Sequence, residues 1–472
     1  MNRAIADRRI GSFRERRMIS RAVVFCLAVA TAWAASERMG AADRRAAGQP
    51  SRTKPNVVLI LTDDMGYGDL SSYGAKDIRT PNIDRLARGG VRLTDAYANG
   101  AVCTPTRAAL MTGRYQQRVG LEDVLTIAPA SRDRGLVATG HTLPALLKKN
   151  GYATALYGKW HLGYKTEFGP NAHGFDEFFG FLSGAVDHYT HQRMDGERDL
   201  VENGSPVETR EYLTDAIAQR GVSFIDRNAG RPFFLELSFN APHWPFQPPD
   251  QPTRNPRQSP PRLRQLADDD PPPTRGDYAR MVERVDVAVG TVMTALEQRG
   301  LTEHTLVIFT NDNGGEWLSR NAPFFHRKGT LWEGGIRVPL IMRWPAGLPA
   351  GRVSPQVAVT MDLTATILSA TGSPVPAEHR LDGIDLLPHL RDTQSTVDRR
   401  VFWRRMTPSV QAAVREGRWK LLMDGQHLFL FDLSADPGER NDLSREHPDV
   451  VRKLSQALQT WFTEMNAASK GS

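Results

Sequence analysis

Cys103 opens the run CTPTRAALMTGR, which sets a thiol and a guanidinium four residues apart. Pro105 suits the first turn of a helix, where a missing N–H costs nothing, and Ala108 to Met111 are good helix formers. Cys103 is therefore predicted at or just before a helix N-terminus. Free N–H groups and the helix dipole there favour negative charge, so a sulfur is easily activated and an oxyanion easily held. Arg107 shares that helix face. The plain alternative is a cysteine that only packs. Other segments end in groups of matching chemistry. PNVVLILTDD (55–64) and TLVIFTNDNGG (305–315) read as buried strands that stop at Asp63 and Asp64 and at Asp312 and Asn313. Neighbouring side chains on a strand point to opposite faces, so paired carboxylates converge only where the strand turns. Four oxygen donors without His or Cys fit a hard divalent cation; each pair alone also reads as a solvated strand end. Lys159 and His161 close another strand, two apart and so on one side if the strand persists. His243 stands between Pro242 and Pro245, which stiffen its loop as a general acid requires.

The pattern C-x-P-x-R followed by A-x-L-x-T-G-R resembles the signature of the formylglycine-dependent sulfatases, which have the alkaline-phosphatase-like fold. The strings DDMGYGDL, GKWHLG and Lys328 ahead of EGGIRVP extend the resemblance across roughly Pro55 to Asp442, with no departure at ten core positions. It implies that a maturation enzyme oxidises Cys103 to an aldehyde, formylglycine, whose hydrate attacks sulfur. It implies one Ca²⁺ held by Asp63, Asp64, Asp312, Asn313 and the modified Cys103. Lys159 and Lys328 would then hold sulfate oxygens, and Arg107 would orient the hydrate. Asp312 would help deprotonate it, His243 or Lys328 would protonate the departing oxygen, and His161 would take the proton that lets free sulfate leave by elimination. The Phe168–His191 segment resembles that of sulfatases acting on hexosamine sulfates, with Asp187, His188 and His191 as candidates for the substrate pocket or for structural roles. Together with LFDLSADPGERNDL (430–443), it implies an exo-acting enzyme on sulfated sugars such as N-acetylgalactosamine sulfates, with aryl sulfates as artificial substrates. His326 is read as a supporting or surface residue.

Composition narrows the setting. Residues 1–34 carry seven arginines ahead of the apolar run AVVFCLAVATAWA, which is too short to span a bilayer comfortably and has the shape of a secretory signal; Met18 is an alternative start. Those arginines stand against Asp7 and Glu15, so about +2 of the formal +7 remains on the mature chain. Nucleic-acid binding is not expected from that balance, nor a stable membrane span after signal removal. The expected location is periplasmic or extracellular. Only Cys26, in the signal, and Cys103 are cysteines, so an internal disulfide is excluded and modification of Cys103 fits.

The elements that must position these groups read as an α/β fold. A large, mixed but mostly parallel sheet is expected between helix layers in residues 55–394, followed by a small antiparallel sheet with a helix in 395–472. Residues 35–54 are polar and read as a disordered terminus, and 247–273 as a proline-rich surface insertion. VRLTDAYA (91–98) reads as one strand, residues 168–191 as a loop-rich wall, and Asp277–Gly300 as a helix whose Met281, Val285, Val289 and Met293 form a packing stripe. Two other functions use the same residues: a phosphoester or phosphonate hydrolase, and a non-catalytic sulfated-glycan-binding protein whose cysteine stays unconverted.

Overall fold

A computed structural model of the chain describes residues 54–251, 272–392 and 396–468. The expected signal, nearly all of the 35–54 terminus and most of the 247–273 insertion lie outside the described residues. Lys54 onward forms one compact unit.

The strands, in chain order, are β1 (Asn56–Thr62), β2 (Val91–Leu93), β3 (Ala96–Tyr97), β4 (Ala153–Lys159), β5 (Glu177–Phe181), β6 (Val201–Glu202), β7 (Ser205–Pro206), β8 (Phe233–Ser238), β9 (Thr305–Asn311), β10 (Leu340–Arg343), β11 (Arg352–Ser354), β12 (Ala358–Val359), β13 (Arg400–Arg405), β14 (Gln411–Glu416), β15 (Trp419–Asp424) and β16 (His427–Asp432). Ten of them form one sheet in the order β11-β2-β10-β9-β1-β8-β4-β5-β6-β7. Its centre, β9-β1-β8-β4-β5, is parallel, so the carboxyl ends of these strands share one edge. Sequential strands with helical crossovers produce this arrangement, and the carboxyl edge is where ligands bind in open α/β sheets.

Alternation within β1 shows why both faces are covered. Val58 and Ile60 enter one core with the helices Pro81–Arg88, Leu213–Asn228 and Arg275–Gln298. Val57, Leu59 and Leu61 enter the opposite core with Cys103–Thr112, Leu143–Lys149 and Thr360–Ala370. The long helix starts at Arg275 because Thr274 and Asp277 form a reciprocal capping box. Its Met281, Val285 and Val289 are fully buried, so the stripe is packing.

Two segments differ from their sequence reading. Residues 91–98 form two short strands: β2 stays in the large sheet, while β3 leaves it to pair with β12. The 168–191 segment contributes β5, a full member of the large sheet beside β4. Its run EFFGF alternates, with Phe178 in one core and Phe179 and Phe181 in the other. Aromatic residues at a period of two override the glycines around them.

The small antiparallel sheet, β13-β14-β15-β16, is backed by the helix Pro448–Ala468, which buries Leu454, Leu458, Trp461 and Met465. A third core joins this sheet to Tyr97, Ala109, Leu331 and Ile336 of the main body. Among the described residues, no helix is long and apolar enough to cross a membrane.

Candidate active site

Six chain segments meet at the carboxyl edge of the sheet. Cys103 is the first residue of its helix, buried, with Sγ 3.5 Å from Asp63 Oδ1. The helix terminus does not activate this thiol. Burial, then the neighbouring Asp312 and Asp63, pushes its pKa far up despite Lys159 and Lys328. An unmodified Cys103 is therefore a neutral thiol at pH 7, contrary to the expectation from its position alone.

Arg107, one turn on, is fully committed. Its Nε and Nη2 donate to Asp312 Oδ2 (3.2 and 3.0 Å), and Nη1 donates to Lys159 O (3.1 Å) and Ser238 Oγ (2.6 Å). It ties the cysteine helix to the ends of β4, β8 and β9. Asp312 is thus turned partly toward Arg107, with Oδ1 accepting from Asp64 N at 3.4 Å.

Asp64 leaves β1 in a left-handed conformation (φ 60°), which lets both carboxylates reach the same side. Lys159 Nζ donates to Asp63 Oδ2 (2.7 Å), and Lys328 Nζ to Asp64 Oδ2 (2.6 Å). Burial alone would raise Asp64, but Lys328 holds it down at about 2. Asp63 moves the other way, to about 8, because burial and Asp312 outweigh Lys159. The turn is clamped by Asn311, whose Oδ1 accepts from Thr62 Oγ1 (2.8 Å) and Met65 N (3.2 Å). Backbone contact is equally close across the site: a Cβ at Gly314 would run into the Gly334 carbonyl, so NDNGG and EGG must meet as glycines.

The two histidines are set by their carbonyl partners. His161 Nε2 lies 2.7 Å from Leu125 O and so carries the proton, leaving Nδ1 buried without a partner. Burial, then Lys159, drives its pKa well down, so the imidazole is neutral. The strand has ended by then: β4 stops at Lys159, and a left-handed turn at His161 (φ 58°) brings its ring to the site. Gly184 leaves room for that ring, since a Cβ there would lie 2.8 Å from His161 Cε1. His243 Nδ1 faces Trp244 O at 2.5 Å, and Nε2 lies 3.4 Å from Asp64 Oδ2. Burial lowers its pKa to about 3.

These donors fit a hard cation. Asn313 Oδ1 is buried with no partner, and one donor atom each of Asp63, Asp64, Cys103 and His243 lie within 4.8 Å of one another. His243 thus joins the cluster that the sequence assigned to oxygens alone. Adjacent acceptors, a carboxylate oxygen and a neutral imidazole nitrogen, favour a positive charge between them.

The cluster opens into a cavity of about 340 Å³. Cys103, His161, His243 and Lys328 lie at its floor, and Val124, Ile127, Tyr164, Arg193, Met194 and Trp244 form much of its wall. The sequence reading did not single out this wall, because its loops lack any period. Ser238 and Asn311 were also missed; their signal was a polar residue at a buried strand end.

Asp187, His188 and His191 do not line the cavity. Asp187 accepts from Tyr189 N, Thr190 N and Gln247 Nε2 (2.8, 2.6 and 2.6 Å). His188 packs on Tyr212 and faces Asn240, while His191 Nε2 faces Glu211 O at 3.2 Å. Asp187 and His188 brace Gln247 and Asn240, which flank His243, and so hold its loop from behind.

Comparison with known proteins agrees with this geometry. The family profile described as Sulfatase matches residues 55–373, and that of the N-sulphoglucosamine sulphohydrolase C-terminal region matches 322–465. The chain is 34% identical to N-acetylgalactosamine-6-sulfatase of Canis lupus familiaris, over 92% of this chain and 90% of that one. It is 34% identical to arylsulfatase A of Bos taurus, over 87% and 83%. A solved structure, Ps i-CgsB in complex with k-i-k-neocarrahexaose, superposes with a TM-score of 0.77 at 32% identity, covering 86% of this chain and 92% of that one. The chain belongs to the sulfatase family of sulfuric ester hydrolases.

Proposed function

We propose that this protein is an exported, Ca²⁺-dependent sulfatase that releases inorganic sulfate from sulfated sugars, and from aryl sulfates as artificial substrates. The observation that carries the reading is the convergence of Cys103, His161, His243 and Lys328 on one cavity floor, with Asp63, Asp64 and Lys159 buried directly against them. The sugar class rests on the named relatives: one is named N-acetylgalactosamine-6-sulfatase, and one is solved in complex with k-i-k-neocarrahexaose.

Asp63, Asp64, Asn313 and residue 103 would hold the cation, with Asp312 or His243 beside it. When present, the cation supplies electrophilic pull on a sulfate oxygen, and formylglycine at position 103 supplies a hydroxyl nucleophile. A maturation enzyme in the host is the implied partner. The remaining work falls to the chain's own side chains. Lys328 Nζ reaches the cavity as a cation, because Asp64 overcomes the effect of burial on it, and can hold an ester oxygen or give the departing one a proton. The free Nδ1 of neutral His161 is placed to take a proton beside residue 103. Lys159 balances Asp63, and Arg107 fixes Asp312. The largely apolar wall lowers the local dielectric, which strengthens each of these interactions.

Mass spectrometry of the tryptic peptide Leu93–Arg107 from protein made in its native host tests the nucleophile. The expected result is a peptide lighter by the thiol-to-aldehyde difference and reactive toward a carbonyl probe. A wholly unmodified thiol in active protein would overturn the reading.

A further inference from the structure

The wall of the cavity holds a cationic side chain that the sulfate chemistry does not use. Arg193 lines the cavity together with Cys103, His161 and Lys328, and it stands on a hairpin closed by the bridge between Gln192 and Arg198. Its Nε and Nη2 donate to Asp195 at 3.0 and 2.7 Å, and Asp195 is held in turn by Arg132 Nη2 and Glu197 N, both at 3.3 Å. The guanidinium plane is thereby fixed along one edge. Nη1, on the other edge, hydrogen-bonds to nothing among the described residues. Tyr164 of the same wall, close enough to Arg193 for each to shift the other's pKa, has its Oη buried without a partner. By contrast, Thr126 Oγ1 is taken by Ser131 Oγ and Ala128 N, Ser183 Oγ by Ala185 O, and Glu316 stands 3.8 Å from Lys328 Nζ.

Resting on the sulfatase reading, we propose that Arg193 is a specificity-determining residue whose Nη1 donates to an uncharged oxygen of the sulfated sugar, a ring hydroxyl or an N-acetyl carbonyl. At about 340 Å³ the cavity is at the small end of ligand pockets, with room for one sulfated sugar. With the sulfate beside residue 103 and Lys328, the rest of that sugar occupies the space bounded by Arg193, Met194 and Trp244. An aromatic hydrocarbon ring in the same space offers Nη1 no acceptor. The contact therefore separates sugar sulfates from aryl sulfates.

The acceptor is an uncharged one because this part of the wall is balanced. Arg193 and Arg132 stand against Asp195 and against Asp199, whose carboxylate accepts from Leu182 N and Ser183 N at 3.1 and 2.8 Å. A second sulfate or a carboxylate would find no net positive charge there. A neutral oxygen needs only a donor held in place, and the Asp195 pairing holds this one. A hydrogen bond from such a charged donor is worth roughly tenfold to a hundredfold in binding.

The experiment measures kcat/KM for N-acetylgalactosamine 6-sulfate, galactose 6-sulfate and naphthyl sulfate in the matured wild type, Arg193→Met and Arg193→Lys. Arg193→Met is expected to lower the sugar sulfates by roughly tenfold to a hundredfold relative to the naphthyl ester, which also reports that the variant is folded. Arg193→Lys keeps the ion pair with Asp195 but leaves no second nitrogen toward the cavity, so it should lose most of the same preference. A fall confined to the N-acetylated sugar would identify the amide carbonyl as the acceptor, and an equal fall in both sugars a ring hydroxyl. Where turnover of a sugar sulfate is too slow to follow, its inhibition constant against naphthyl sulfate reads the same contact. An unchanged sugar-to-aryl ratio in Arg193→Met would overturn the proposal. So would full retention in Arg193→Lys, which would make charge and not the fixed Nη1 the determinant, or a wild type that neither turns over nor binds either sugar. No turnover of naphthyl sulfate by the matured wild type would instead overturn the sulfatase reading, and this inference with it.

Discussion

Two of the buried charge clusters among the described residues differ in what they leave over. At the junction of the two sheets, Lys420 Nζ touches Leu331 O (2.8 Å), Glu333 Oε1 (2.9 Å) and Glu439 Oε1 (2.7 Å). Glu333 also receives Arg337 Nη1 (2.7 Å), and Asp95 takes both Arg337 and Arg415. At the sheet edge, a similar mixture of acids and cations leaves Asn313 Oδ1 and His161 Nδ1 without partners and opens into a cavity. At the junction the acceptor that lacks a hydrogen bond, Glu439 Oε1, is still ion-paired with Lys420 at 2.7 Å, whereas the two at the edge have neither kind of partner, and such atoms have capacity for a ligand.

The largest test of that contrast is at Cys103. Cys103→Ala should lower kcat by about 10⁴-fold or more, with a thermal midpoint within a few degrees of wild type, since its side chain is small and holds only one long contact. A substantial residual rate would break the assignment of the edge cluster as reactive. At the junction the expectation reverses. Lys420→Met strands Glu333 and Glu439 and should cost about 3–5 kcal/mol in urea unfolding, while kcat of the folded fraction stays within about threefold. A large fall in kcat with unchanged stability would put the junction on the reactive side instead.

Cation binding gives a smaller signal. Calcium added to chelator-treated protein at about 100 times its Kd should stabilise the fold by about 2.7 kcal/mol, read as a rise in melting temperature. Asn313→Ala should remove most of that rise. The same titration in Lys420→Met should leave it intact.

Glu236 offers the finest test, being buried on β8 with Oε2 unpartnered and in neither cluster. Burial raises its pKa to about 7 from 4.5. A carboxyl raised in the folded state is favoured while protonated. Its contribution is therefore complete below pH 4.5 and is lost as pH rises through 7. Glu236→Gln should cancel that loss, so its advantage over wild type should grow by about 1–3 kcal/mol between pH 5 and 8 in chemical denaturation. A constant difference across that range would show that Glu236 titrates normally.

Much of the site was legible because strand ends are legible. A run such as NVVLILTDD must be buried to its last apolar residue, so Asp63 and Asp64 had to emerge at an edge. His161 and Asp187 mark the limit of that logic. Equal spacing from Lys159 placed His161 correctly for the wrong reason, because a left-handed turn and not a continued strand delivers it. Asp187, His188 and His191 carry suitable chemistry, yet backbone amides, carbonyls and Gln247 engage them first. Nothing in a one-dimensional pattern states which polar atoms a folded chain will use up.

The sequence by itself determined the parallel core, the small terminal sheet, the long packed helix and the residue types of the reactive edge. Those follow from periodicity and from turn chemistry, which act over a few residues. Tertiary structure alone decided that the Cys103 thiol is protonated and inactive, that Arg107 spends its donors on Asp312 and Ser238, that His243 joins the carboxylates, and that Glu316 faces Lys328. Each of these is set by desolvation or by a distance between segments far apart in the chain, and neither exists until the chain has closed.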